Sequence, residues 1–153
     1  MTMPNAATQD AAAAGRILEG ARGQAKDHFA LMHLGRLYAS MGETAKADEL
    51  FTAAAAACKS GDDCIQFIDR LKGYALPRDV QRKWYTVCGQ SLSSPVDKLR
   101  WTEGIADALN DKAWASEAYS ELAGQMPAEL SSRFAQSRQS RADLNFYGSV
   151  RRH

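Results

Sequence analysis

The chain has 153 residues and a net charge of +1, with 45% hydrophobic and 24% charged residues. This length allows a packed core without disulfides or metal ions, and the balanced charge points to neither a nucleic acid nor an acidic partner. No apolar run is long enough for a transmembrane helix, and the first residues lack the basic start and apolar stretch of a secretory signal. We therefore expect a cytoplasmic protein with no membrane partner.

Eight helices are predicted along the chain. Three of the four prolines, Pro77, Pro95 and Pro127, separate apolar segments, and alanine-rich runs favour helix. No segment shows the alternation and β-branched content of a strand. The predicted helices span residues 9–25, 28–41, 44–58, 63–74, 78–90, 96–109, 112–125 and 128–144. Their short connections are typical of antiparallel helical hairpins, and residues 148–153 are predicted to be loose.

The stretch from His28 to Gly61 places large and small residues in a particular order. Small residues let two helices approach closely, while large residues fill the space between them. The large ones are Leu31, Leu34, Tyr38 and Phe51, and the small ones are Gly35, Gly42, Ala47 and Ala54. A generic helical hairpin is one explanation. However, all eight positions match the tetratricopeptide repeat (TPR), a 34-residue helix–turn–helix unit, and the stretch resembles that family.

Two further units of the same length show a weaker resemblance. Residues 96–129 retain the second-helix pattern in Asn110, Ala115, Tyr119 and Leu122, while residues 62–95 depart from it at Asp69, Lys72 and Gln81. The resemblance implies an all-α, right-handed superhelical array of three TPR-like repeats over 28–129, namely 28–61, 62–95 and 96–129. An N-terminal segment and helix, 1–27, and a C-terminal capping helix with a basic tail, 130–153, would cover its ends.

First helices of this family line a concave groove that usually binds peptides or helices. The resemblance therefore implies groove positions for Phe29, Met32, His33 and Arg36, for Gln66, Phe67, Arg70 and Tyr74, and for Arg100 and Trp101. Aromatic residues and arginine are frequent in binding hot spots, so a polypeptide with apolar and acidic character is the expected partner. Alternatively, the aromatic residues of the degenerate middle unit fold inward as core, or the end helices fill the groove.

The sequence contains few motifs typical of catalysis, metal binding or redox chemistry. The sequence has no phosphate-binding glycine loop, nucleophile elbow or zinc-protease motif, so we expect neither an enzyme nor a cofactor. His28 and His33 are five residues apart and do not share a helical face, so no metal site is predicted. Cys58 and Cys64 flank a short loop and could form a disulfide or redox pair, whereas Cys88 is predicted to be a core residue.

The C-terminal segment is basic. It carries Arg133, Arg138, Arg141, Arg151 and Arg152 against Glu129 and Asp143. A basic tail can contact nucleic acid or an acidic protein. Because no aromatic residues alternate with these arginines, a solvated helix face is the favoured interpretation and nucleic acid is an unlikely partner.

Together these patterns predict a small adaptor or chaperone-like protein that binds a polypeptide without catalysis. Three alternatives stay open. The chain is similar in length and repeat number to the bacterial type III secretion chaperones. It could also be a self-assembling scaffold, a homo-oligomer or a subunit of a fixed complex. Finally, it could respond to redox change or metal through Cys58 and Cys64.

Overall fold

The computed structural model describes the backbone of residues 6–74 and 76–151 and the side chains of residues 13–74 and 76–142. Over this part of the chain the protein is all-α, with no strand. The helices are α1 (Ala6–Gln24), α2 (His28–Ser40), α3 (Thr44–Ala56), α4 (Gly61–Lys72), α5 (Arg78–Gln90), α6 (Pro95–Asp107), α7 (Lys112–Ala123) and α8 (Ser131–Arg151). A short 3₁₀ turn, Ala128–Leu130, precedes α8. No helix in the described ranges is long and apolar enough to cross a membrane.

The predicted helices all appear, and each begins within three residues of its predicted start. One prediction at the C-terminus is wrong. The segment from Gly148 onward was expected to be loose, but α8 continues to Arg151. Arg152 and His153 lie outside the described residues.

Local chemistry explains where the helices start. The Asp27 carboxylate accepts a hydrogen bond from the Ala30 amide at 2.8 Å and caps α2. The Ser60 hydroxyl caps α4 through the Asp63 amide, and Asp111 caps α7 through the Trp114 amide, both at 3.1 Å. Each cap satisfies an amide that has no partner within its own helix. Helix α6 begins instead with Pro95, whose fixed φ suits the first helical position.

Helix starts recur at a regular interval. Helices α3, α5 and α7 begin at Thr44, Arg78 and Lys112, each 34 residues after the last. The turn before α3 contains Gly42 with φ of 80°, and the turn before α7 contains Asn110 with φ of 53°. Glycine and asparagine are the residues that best tolerate this left-handed backbone. The turns before α3 and α7 thus use a left-handed residue at positions 68 apart, twice the helix interval.

The chain forms two compact units, which meet in sequence at the bond between Ala57 and Cys58. In the first unit α2 and α3 form a tightly packed hairpin. A Cβ added to Gly35 would lie 3.1 Å from the Phe51 ring, so the helices approach closely at this glycine. The neighbouring Leu34 and Tyr38 of α2 and Ala54 of α3 are buried. Small and large residues therefore interdigitate at this helix pair as the sequence pattern predicts.

In the second unit α4, α6 and α8 run in the same direction. Between α4 and α6, the Gly61 amide donates to Asp97 at 3.1 Å and the Lys72 amine donates to the Ala108 carbonyl at 2.6 Å. Both pairs are 36 residues apart, as expected for parallel helices in register. Between α6 and α8, Ser137 donates to Glu103 and Arg141 to Asp107, both at 2.7 Å and both 34 residues apart.

Helix α5 packs against α6 at a glycine. A Cβ on Gly104 would overlap the Tyr85 hydroxyl and lie 2.8 Å from Ile65 of α4. Farther along, Leu99, Tyr119, Leu122 and Phe134 form a buried cluster that joins α6, α7 and α8. Phe134 therefore packs inward from α8.

We expect Gly104→Ala to destabilise the protein by about 1–3 kcal/mol, because the added methyl group requires Tyr85 or Ile65 to move. Urea unfolding followed by circular dichroism measures this loss. The matched control is Gly124→Ala in the same unit, where the nearest atom to an added Cβ is 3.9 Å away. Equal stability of the two variants would contradict the close packing of α4, α5 and α6.

Candidate functional site

The ten residues predicted to line a groove have different environments. Exposed side chains are Phe29, His33, Arg36, Gln66 and Arg70. Half-buried side chains are Tyr74, Arg100 and Trp101. Fully buried side chains are Met32 and Phe67. Met32 and Phe67 could contact a partner only after a rearrangement of the helices that bury them.

The groove prediction is wrong for Met32 and Phe67, which are exposed by only 1% and 0%. Phe67 lies three residues after Cys64 and four before Leu71, so it belongs to the apolar stripe of α4. Met32 occupies the same kind of position between His28 and Gly35 on α2. Both residues lie on the predicted helices, but the helix face that was assigned to the groove at these two positions points to the core.

Trp101 is held by contacts within the second unit. Its ring stacks on Tyr85 with centroids 5.2 Å apart, and the Trp114 ring meets it edge-on at 5.7 Å. The indole Nε1 donates to the Tyr85 carbonyl at 2.9 Å. These contacts give Trp101 a packing role among α5, α6 and α7, in place of the partner contact expected from the sequence.

Arg100 takes part in a row of charges that crosses α4, α6 and α8. Its guanidinium lies 2.7 Å from Asp62 and 3.6 Å from Glu103. Arg141 of α8 continues the row, at 3.2 Å from Glu103 and 2.7 Å from Asp107. The hydrogen bond with Asp62 is the main cause that raises the pKa of Arg100. This row, which we call the charge ladder, ties the three parallel helices together at their surface.

The basic tail is therefore only partly available to a partner. Arg141 belongs to the charge ladder, and Arg138 donates to the Ser120 hydroxyl of α7 at 3.1 Å. Arg133 is exposed. A cavity of about 290 Å³ lies beside Arg138 and Arg141, among α6, α7 and α8. Because both arginines already bind protein atoms, the cavity is explained by the docking of α8.

Three cysteines converge inside the second unit. Cys58 lies in the connection before α4, Cys64 in the first part of α4 and Cys88 near the end of α5. Their sulfur atoms all lie within 4.8 Å of one another, and each side chain is at most 1% exposed. All three are present as thiols rather than disulfides. We call this group the cysteine cluster.

Sequence reasoning considered Cys58 and Cys64 as a pair and missed Cys88 as the third member. The missing signal was the hairpin formed by α4 and α5. Cys64 and Cys88 each lie 12 residues from Leu76, in the turn between these helices. Residues equally distant from the turn of an antiparallel hairpin lie side by side, so the numbering alone places the two sulfurs together.

Hydrogen bonding and burial keep Cys64 and Cys88 protonated. The hydrogen bond with Cys58 is the main cause that raises the pKa of Cys64, and hydrogen bonds with Cys58 and Cys64 do the same for Cys88. Burial raises the pKa of both thiols further. Both therefore stay neutral at physiological pH, where a reactive cysteine would be a thiolate.

Comparison with known protein families, with curated proteins and with solved structures finds no match. No relative therefore assigns a role to the exposed helix faces, the charge ladder or the cysteine cluster. The function has to be inferred from the chemistry of these three features.

We expect Trp101→Ala to lower the stability by about 3 kcal/mol, because the change removes the stacking contact and the indole hydrogen bond. Phe29→Ala removes an aromatic ring from another predicted groove position, but one that is 37% exposed. Its loss should stay below about 1 kcal/mol. Thermal unfolding of both variants is the measurement. A larger loss of stability for Phe29→Ala than for Trp101→Ala would contradict the assignment of Trp101 to packing and of Phe29 to the surface.

We also expect the cysteine cluster to be unreactive in the folded protein. Burial and a raised pKa both slow attack by the disulfide reagent DTNB at pH 8, and unfolding in guanidinium should release all three thiols. Ser132→Cys adds a thiol at an exposed position of α8 and should react at once with one equivalent. Rapid reaction of the native cysteines, at the rate of this control, would show that the cluster is open to solvent.

Proposed function

We propose that the protein is a non-catalytic, TPR-like repeat protein that binds a polypeptide segment. The observation that carries the proposal is the first hairpin. There, Leu34 and Tyr38 are buried, Gly35 contacts the Phe51 ring, and Gly42 has a left-handed backbone. These are the structural roles for which the repeat signature selects those residues. Proteins of this repeat family usually work by binding other polypeptides.

The third hairpin supports the proposal independently. Ala115, Tyr119 and Leu122 of α7 are buried, as the repeat pattern requires of its second helix. Asn110 adopts the left-handed backbone at the position equivalent to Gly42. Helix α6 departs from the pattern, with Glu103 at the position of the repeat glycine, and its own Gly104 contacts α5 and α4 instead of α7. A right-handed superhelical array of such units is the arrangement that we propose for the chain.

Helix α8 supports a capping role for the C-terminal segment. It lies parallel to α6 and contacts it through residue pairs 34 residues apart, which is the repeat interval. A first helix of a further repeat would occupy such a position. We propose that α8 covers the apolar end of the last repeat, since a terminal unit needs a polar outer face for solubility.

The partner is proposed to bind on exposed faces of the first helices. On α2, Phe29, His33 and Arg36 follow one another at spacings of four and three residues, so they form one exposed stripe. On α4, Gln66 and Arg70 form a second exposed stripe. An exposed aromatic ring beside arginine suits a segment that carries both apolar and acidic side chains.

A charge-reversal pair tests this surface. The bait proteins are the parent, the double variant Arg36→Glu and Arg70→Glu, and the matched control Arg16→Glu and Arg133→Glu, which changes two exposed arginines of α1 and α8. Both double variants change the net charge equally. We expect the partner captured by the parent from native lysate to bind at least about tenfold more weakly to the first variant and equally well to the control.

Circular dichroism of each bait keeps loss of folding separate from loss of binding. Equal capture by all three baits would contradict the assignment of the surface to α2 and α4. Equal loss in both double variants would show a response to net charge alone. Capture of nothing except further copies of the chain would favour the self-assembling scaffold over the adaptor.

A further inference from the structure

The cysteine cluster has the composition of a ligand-binding site. A single buried cysteine packs as a small hydrophobic residue and gives no reason to expect a ligand. Here a loop and two helices bring three sulfur atoms within 4.8 Å of one another, with each side chain almost completely buried. Among the described residues no histidine, aspartate or glutamate joins this group. The set is therefore made of three soft ligands.

We propose that Cys58, Cys64 and Cys88 bind a single soft ion in three-coordinate geometry, with trivalent arsenic or Cu(I) as the chemical class of ligand. Thiolates are the protein ligands that soft ions prefer. The proposal rests on this cluster alone and is independent of polypeptide binding by the helices.

The distances suit three-coordinate binding after a small contraction. With bonds of about 2.3 Å to sulfur, a planar trigonal Cu(I) ion holds three sulfurs about 4.0 Å apart. Trivalent arsenic is pyramidal because it has a lone pair, so it holds them closer, at about 3.5 Å. The observed sulfurs lie within 4.8 Å, so they need to move by less than the length of a bond. Cys58 lies in the connection before α4 and not within a helix, so this movement can occur without bending α4 or α5.

The number of ligands argues against zinc. Structural zinc sites in proteins almost always have four protein ligands. The described residues around the cluster supply three. Trivalent arsenic and Cu(I) both form stable complexes with three sulfurs, so neither ion requires a fourth side chain.

Charge favours arsenic over copper. Arsenous acid reacts with three thiols to give a neutral complex and three water molecules. Three As–O bonds break and three As–S bonds form, and each thiol proton leaves with a hydroxide. Cu(I) with three thiolates leaves a charge of −2 after three protons are released. Burial of uncompensated charge is costly. The side chains that most affect the pKa of Cys64 and Cys88 are the other thiols of the cluster and, for Cys64, Asp63, and none of them is a cation.

Titration of the reduced full-length protein tests the proposal. Sodium arsenite is added in one arm and Cu(I), without oxygen, in the other, and native mass spectrometry counts the ions bound. We expect one ion per chain, with the mass of one arsenic atom gained and three hydrogens lost in the arsenite arm. Because the ion binds the folded state, the three thiols should react with DTNB more slowly near the guanidinium midpoint than they do in the ion-free protein. A thiolate-to-ion absorption band should appear in the ultraviolet.

Single variants identify the ligands. Cys58→Ser, Cys64→Ser and Cys88→Ser should each weaken arsenite binding by about 100-fold or more, because the third bond contributes through a high effective concentration. The matched control is Ile68→Val, which trims a fully buried side chain one helical turn from Cys64 and should leave arsenite binding unchanged. If a serine variant does not fold, the corresponding alanine variant and the count of protected thiols in the parent still decide the question.

Binding of Cu(I) but not arsenite would keep the three-thiolate site and assign it to copper. Three results would overturn the proposal. One is thiols that stay reactive at saturating arsenite and Cu(I). Another is arsenite bound as tightly by the serine variants as by the parent. The last is Zn²⁺ bound more tightly than either soft ion, which would require a fourth ligand.

Discussion

The second unit depends on one reciprocal contact between α5 and α6. The buried Tyr85 hydroxyl donates to the Trp101 carbonyl at 2.5 Å, and the Trp101 indole donates back to the Tyr85 carbonyl at 2.9 Å. Gly104 must lack a side chain because the same tyrosine fills the space above it. Burial raises the pKa of Tyr85, so the hydroxyl remains a donor. The contact fixes α5 against α6, and α5 in turn carries Cys88 into the cysteine cluster.

The charge ladder limits which side chains can serve a partner. Arg100 would be a suitable anchor for an acidic segment, yet it is already paired with Asp62 and Glu103. Partly exposed ion pairs of this kind contribute little stability one at a time. Their effect here is positional, since they set the register of the parallel helices α4, α6 and α8. The exposed stripes of α2 and α4 to which we assign the partner lie outside this ladder.

Helix positions were predictable from the sequence because local signals determine them. Helix capping depends only on residues next to the helix start, here Asp27, Ser60 and Asp111, and the same holds for Pro95 at the start of α6. The environments of single side chains were less predictable. Phe67 and Met32 were assigned to a groove from the positions of the repeat family. The spacing of the apolar residues on α4 and α2 instead places both side chains on the buried faces of their own helices.

The candidate site was predictable only in part, for a different reason. Exposure of Phe29, His33 and Arg36 follows from their spacing on a single helix. The cysteine cluster needs the tertiary pairing of α4 with α5, which the degenerate middle repeat obscured. The pairing becomes visible when the turn at Leu76 is taken as the centre of a hairpin. To predict the environment of Trp101, the packing of three helices would have to be known, because its neighbours come from both α5 and α7.

The repeat interval also has a consequence for how the chain folds. The side-chain hydrogen bonds that join α4, α5, α6 and α8 connect residues between 16 and 38 positions apart. No long stretch of chain has to close before such contacts form, and a low mean sequence separation favours rapid folding. Each helix can dock once the next one or two helices have been synthesised, as α5 does on α6 through Tyr85 and Trp101. Growth from one end therefore never has to wait for a distant part of the chain.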